Sequence, residues 1–403
     1  MHFMSKRKKL LSHNSLTLLA FVLGVLSGVI DISGLLQAAH VVSDITIKLM
    51  KFIALPLLFL SVVSSAAHFK NLEEIKKLGV QIFKYTLFTT VLATLVAEGF
   101  YLIVSPFLLG AHVNPVGGIS SQSKGFFEML LTMVPDNFIG IFLHSNVIAV
   151  VVVAILLSTA ILTVKDRERE VIFTLFTGLL AAVMKVVRIG IRLIPLSVWA
   201  FVTILTQEVL NNETSSLNAI GGLTLTVIGA NIVQGLIVLP LLLKYKGISP
   251  IKLFRQVKEA LIIAFFTRSS MATLPVTLEK SINEAKISED VARLSLPLST
   301  TINMNGCAQF ILLSVYFVSA YTGHALSSWE HVGMIFLSVI AAIGNAGVPM
   351  GCFFLASSIL ASHDIPLHIM GSILPLYTFI DMVETSLNVW SDISIAKIID
   401  VEK

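Results

Sequence analysis

The chain has 403 residues, of which 55% are hydrophobic and only 13% charged, with a net charge of +4 and a mean hydropathy of +0.89. Soluble domains carry about 25% charged residues, so this composition excludes an ordinary water-soluble fold and leaves no room for a sizeable soluble domain. The basic residues cluster in short loops, which excludes a nucleic-acid footprint, and the two cysteines, Cys307 and Cys352, lie in apolar stretches where neither a disulfide framework nor a Cys-based metal site is expected.

Apolar segments of about 20 residues, enough to cross a ~30 Å hydrocarbon core, recur along the chain. Lys6, Arg7, Lys8 and Lys9 precede the first, which starts at Leu16 and lacks a small-residue cleavage site, so it reads as an uncleaved span. The expected spans are 15–36, 45–67, 80–109, 126–163, 185–206, 217–243, 289–321 and 367–396. The segment 126–163 is too long for one straight helix, and Pro135 with Gly140 predicts a kink or break. Lys185, Arg188 and Arg192 recur on one helical face, consistent with cations reaching for an interface.

Two further apolar pieces, 254–278 and 334–360, are interrupted by Gly, Pro and Ser. Basic residues gather before Leu16, at Lys70–Lys77, at Lys165–Arg169 and from Lys244 to Lys258, whereas 110–123, 205–216 and 319–332 contain no Lys or Arg. The two sets alternate as inside and outside, with both termini inside, provided that 254–278 and 334–360 turn back without crossing. The expected fold is therefore all-α and polytopic: eight transmembrane helices and two opposed re-entrant helical hairpins. Broken hairpins of this kind are tolerated where they line a cavity, which points to a transporter with a midplane site.

The last third carries the chemistry. The run TRSSMATLP places Arg268, Ser269 and Ser270 at the break of the first hairpin, where free N–H groups and hydroxyls suit a carboxylate. TTINMNGCAQ puts Asn303, Asn305 and Gly306 inside a span; an unwound turn there supplies oxygens for a hard cation such as Na⁺, or else forms a polar stripe between helices. AAIGNAGVPMGC, with Gly344, Gly347, Pro349 and Gly351, predicts an extended, gate-like tip in the second hairpin. In the final span Asp381, Glu384, Thr385, Asn388 and Asp392 fall at offsets 0, 3, 4, 7 and 11, one helical face, and such intramembrane carboxylates mark a substrate or ion pathway.

TRSS, INMxG, GxAGVP and D-x-x-x-T-x-x-N-x-x-x-D, in this order and spacing, resemble the dicarboxylate/amino acid:cation symporters, the glutamate transporter homologues. The resemblance covers nearly the whole chain and implies a trimeric elevator transporter. Its scaffold would span about 10–67 and 126–206, and its mobile part 80–109 and 217–397 with hairpins 254–278 and 334–360. It implies that Asp381 binds the substrate amino group and Asn388 its carboxylate, with Arg268, Ser269, Ser270, Cys307, Val348, Glu384 and Thr385 completing the substrate site. For sodium it implies Asn303, Asn388 and Asp392 at one site, Thr301, Ile343 and Asn345 at a second, and Thr89 and Thr90 with Asn303 at a third, near Asn305.

Two departures follow. Glu384 stands where acidic-substrate members carry an arginine, and a carboxylate there repels glutamate or aspartate; the run FFTRSS with D-x-x-E-T-x-x-N resembles the bacterial serine/threonine:sodium branch. Arg268 is positioned in sequence to neutralise Glu384. Asn305 stands where sodium-coupled glutamate members have aspartate, which implies fewer coupled ions. The expectation is sodium-coupled, or else proton-coupled, symport of a small neutral amino acid across the bacterial inner membrane by a lipid-embedded homotrimer with no nucleic-acid partner. A glutamate/aspartate symporter is the alternative and an ion channel a distant one. No Ser/His pair, aspartate pair or H-E-x-x-H motif supports an enzyme. Glu98 reads as a satisfied or proton-sensitive group, and Asn212 begins an incidental glycosylation sequon.

Overall fold

A computed structural model describes residues 13–30, 32–65, 74–108, 137–143, 147–211, 215–323, 326–345, 350–362, 365 and 367–403. Among these the secondary structure is helical throughout. Helices α1 (His13–Ile30), α2 (Ser33–Ser65) and α3 (Glu74–Leu108) open the chain, followed by the short α4 (Gly140–Leu143) and α5 (Val147–Thr163). Helix α6 (Asp166–Leu210) is a single 45-residue rod, longer than the expected span 185–206 and continuous through Pro195. Pro135 and Asn212 lie outside the described residues, whereas Gly140 starts α4.

Helix α7 (Ser215–Val233) passes through a π turn (Gln234–Val238) into α8 (Leu239–Tyr245). Pro240, lacking an amide proton, cannot bond the carbonyl four residues back, and a wider turn accommodates that loss. The turn is put to use: Gln234 donates to the Thr89 carbonyl at 3.2 Å, and the Gly235 carbonyl accepts from the Trp390 indole at 3.0 Å.

Helices α9 (Pro250–Thr267) and α10 (Ser270–Asn283) form the first interrupted pair. Arg268 sits at the turn with φ 53°, ψ 35°, ending α9 in a left-handed residue, and Ser269 caps α10 by accepting from the Ala272 amide at 3.2 Å. Helices α11 (Glu289–Ile302) and α12 (Asn305–Tyr321) are separated by two non-helical residues, Asn303 and Met304. Helices α13 (Ser328–Gly344) and α14 (Gly351–Ser362) flank the second interruption, and α15 (His368–Glu402) closes the chain. A Ser327/Glu330 capping box starts α13.

Helices α1 and α2 pack along α6, while α12 is surrounded by α3, α7, α13, α14 and α15. Every residue from Asn305 to Ser319 is buried. The outside is apolar instead: Leu225 is 69% exposed and Leu241 60%. An apolar shell around a polar-lined centre inverts the usual distribution in water and fits a hydrocarbon environment. Among the described residues four stretches, Leu78–Val104, Asp166–Gly190, Ile220–Tyr245 and Glu289–Tyr321, are long and apolar enough to cross a membrane. Lys185, Arg188 and Arg192 are exposed together on α6, as their spacing predicts.

Candidate substrate and cation site

The break between α11 and α12 places two asparagines where no water reaches them: Asn303 and Asn305 are fully buried. Buried amides need partners, and α3 and α15 provide them. Asn303 donates to Asp392 Oδ1 at 2.8 Å and accepts from the Thr89 hydroxyl at 3.2 Å. Asn305 accepts from Thr90 at 2.9 Å and donates to Ser391 at 2.9 Å. The Thr300 hydroxyl points to Asp392 Oδ2 at 3.4 Å. Side-chain oxygens thus converge around the break, the ligand type that suits a hard cation.

One turn further, the Gly306 amide at the start of α12 donates to Asn388 Oδ1 at 2.9 Å. A Cβ on Gly306 would lie 2.8 Å from both Asn231 Oδ1 and the Glu384 Cα. Glycine is therefore required by the close approach of α12 to α15. Asn388 turns its amide toward Met304 Sδ, 3.5 Å, and Cys307 Sγ, 3.7 Å.

On α15 the five polar residues share one buried face as predicted: Asp381, Glu384, Thr385, Asn388 and Asp392 all lie below 9% exposure. Arg268 acts electrostatically on Asp381, to which Thr385 also hydrogen-bonds. Glu384 is different. It is 1% exposed; the Tyr377 hydroxyl is the one side-chain donor that addresses it, and neither carboxylate oxygen closes a hydrogen bond within 3.5 Å among the described residues. The expected Arg268–Glu384 pair is thus corrected: the guanidinium at the α9–α10 turn addresses Asp381, one turn nearer the start of α15. Ser270 is buried beside that turn and Ser269 is half-buried.

The remaining predicted residues are only partly brought together. Val348 lies outside the described residues. Thr301 and Ile343 sit near the ends of α11 and α13, which touch, and the Thr301 hydroxyl turns back to the Leu298 carbonyl at 2.7 Å. Asn345 caps α13 and donates its amide to Cys307 and Cys352, 3.4 Å to each sulfur. Those cysteines form a disulfide with Cα atoms 5.4 Å apart, correcting the expectation that they stay unpaired. Two apolar segments distant in sequence meet here, a juxtaposition that spacing does not reveal.

Sequence reasoning also missed Thr300, Ser391, Cys352, Gln234 and Gln309. Gln309 donates to the carbonyls of Ala93, 3.0 Å, and Ala230, 3.3 Å, holding α12 against α3 and α7. A mid-span glutamine on a predominantly apolar helix was the available signal. Glu98 bonds His331 at 3.0 Å, tying α3 to α13.

A polar centre of broken helices inside an apolar shell is consistent with a membrane transporter. The profile of the sodium:dicarboxylate symporter family matches residues 14–401, and the chain belongs to that family. It is 26% identical over 358 residues to the proton/glutamate-aspartate symporter of Escherichia coli (strain K12), covering 86% of this chain and 81% of that one. It is 26% identical over 372 residues to a C4-dicarboxylate transport protein of Bordetella avium (strain 197N), covering 90% and 82%. The proton/sodium-glutamate symport protein of Bacillus subtilis (strain 168) is 22% identical over 378 residues, covering 91% and 87%. The protein is a cation-coupled symporter of a small molecule, not an enzyme.

Proposed function

We propose that this symporter moves a small neutral amino acid, serine- or threonine-like, together with sodium across the bacterial inner membrane, as a trimer in which α3 and α7–α15 carry the site past a scaffold of α1, α2, α5 and α6. Glu384 carries the substrate assignment. A buried carboxylate that closes no hydrogen bond within 3.5 Å leaves no place for a second substrate carboxylate, because two like charges at low dielectric repel strongly. A substrate hydroxyl would instead supply that hydrogen bond. Asp381 then faces the substrate ammonium, while Asn388 and the first turn of α10 at Ser270 face its carboxylate. Arg268, Ser269, Cys307, Val348 and Thr385 complete the pocket. Asp392, Asn303, Asn305, Thr89 and Thr90 supply the oxygens for sodium, and Thr301, Ile343 and Asn345 a second cation site.

The names of the relatives favour a second reading over this one: symport of glutamate, aspartate or another dicarboxylate, with protons or sodium. In that case Arg268 holds the distal carboxylate. Uptake into proteoliposomes separates the two. Labelled serine or threonine accumulating under an inward sodium gradient, undiminished by excess glutamate or succinate, supports the first. Accumulation of glutamate, aspartate or succinate in preference to serine replaces it with the second.

A further inference from the structure

Cys352 is used by neither the substrate nor the sodium assignment, yet its sulfur sits beside that of Cys307 at the edge of the substrate pocket. Cys307 lies in the first turn of α12 and Cys352 in the first turn of α14, the arm that follows the second interruption. Both are buried, at 4% and 2% exposure. Their sulfurs and a carboxylate oxygen of Glu384 all lie within 4.8 Å of one another. Glu384 adds an independent observation, since it is 1% exposed and, with only the Tyr377 hydroxyl addressing it, neither oxygen closes a hydrogen bond within 3.5 Å among the described residues. The Asn345 amide donates to both sulfurs and the Asn388 amide to one, and N–H donors on sulfur favour the thiolate and fix its direction.

We propose that, once reduced, Cys307 and Cys352 join Glu384 in a three-residue site for a soft divalent cation of the Zn²⁺ or Cd²⁺ class. Two thiolates and a carboxylate are a ligand set that thiophilic metals take and that sodium does not. Three protein ligands leave a fourth position for water or substrate. In the disulfide both sulfurs are committed to each other, so oxidation and metal binding exclude one another. A dithiol reductant opens the bond: its two sulfurs are oxidised to a disulfide, and its two electrons and two protons end on Cys307 and Cys352. The metal then displaces those thiol protons, and affinity rises with pH. The metal would tie α12, α14 and α15 together where the substrate is proposed to sit, so it blocks uptake; that consequence, though not the site, rests on the proposed function.

The test uses the full chain in detergent, reduced with a dithiol that is then removed without oxygen, and titrated with Cd²⁺. The ultraviolet thiolate-to-cadmium band should rise to one equivalent per chain in the reduced protein and stay absent in the oxidised protein. Cys352→Ser should weaken binding at least about 10-fold, and Glu384→Gln about 10- to 100-fold. Equal binding by oxidised and reduced protein, or a reduced protein with no band, overturns the site, and an unchanged affinity in Glu384→Gln overturns the carboxylate's part. The oxidised–reduced comparison needs no substitution and no transport, so it stands whatever the substrate proves to be.

Discussion

Asn303 donates its side-chain amide to Asp392 at 2.8 Å, joining the break between α11 and α12 to the last third of α15. Both residues are buried, and Asn303 bonds at its other end to Thr89 of α3. Three helices are thus fixed around one carboxylate. Asp392→Asn removes the charge while keeping the shape. Uptake should lose its dependence on the cation gradient and fall at least about 10-fold, the chain remaining monodisperse in detergent; a variant with undiminished sodium stimulation removes Asp392 from the cation site.

Gly306 tests the packing independently of transport. An alanine there would place its Cβ against the Asn231 oxygen and the α15 backbone, and backbone cannot rotate away. Gly306→Ala should lower stability by about 1–3 kcal/mol. Gly235→Ala meets only the tip of Leu387, at 3.2 Å, and should cost much less. Thermal unfolding of the two variants side by side gives the order; equal melting temperatures contradict it.

The end of α15 offers a pH-dependent contact outside the membrane-spanning part. Burial pushes the Asp400 carboxyl up, but the Ser288 hydroxyl, at 2.6 Å, the Ser288 amide, at 2.9 Å, and Lys397, at 3.2 Å, overcome it and hold the group below its ordinary value of 3.8. A depressed carboxyl stabilises the fold above its unfolded value and loses that contribution as pH falls through the folded one. Asp400→Ala should therefore be less stable than the wild type near neutral pH, by about 1–3 kcal/mol, with the gap narrowing below about pH 4. Melting curves at both pH values check this, and a gap that does not narrow assigns the loss to packing.

Much of this was readable in the sequence because the signals are local. The offsets of Asp381, Glu384, Thr385, Asn388 and Asp392 fix one helical face whatever surrounds it, and all five are buried. The run TTINMNG predicted an interruption, and α11 stops at Ile302. What escaped depends on distant segments meeting. Thr300 and Ser391 are ordinary hydroxyl residues until α11 and α15 are placed side by side. Cys307 and Cys352 are separated by 45 positions, and only the packing of α14 on α12 pairs them. The length of α6 was hidden for another reason: its first turns carry Asp166, Arg167, Glu168 and Arg169, which read as a loop by charge although acidic residues favour a helix start.

Arg268 and Glu384 divide the substrate question between them. If Arg268 acts only through Asp381, Arg268→Lys should preserve selectivity and raise the substrate concentration for half-maximal uptake by roughly 5- to 30-fold, about 1–2 kcal/mol. A gain or loss of acidic substrates in that variant would instead place Arg268 against the side chain.

The most direct measurement is equilibrium binding of labelled serine and glutamate, at fixed saturating sodium, to the wild type and to Glu384→Arg. The wild type should bind serine and ignore glutamate, and Glu384→Arg should reverse the preference. Glutamate bound more tightly than serine by the wild type, or a preference that Glu384→Arg leaves untouched, would contradict a neutral substrate selected by Glu384.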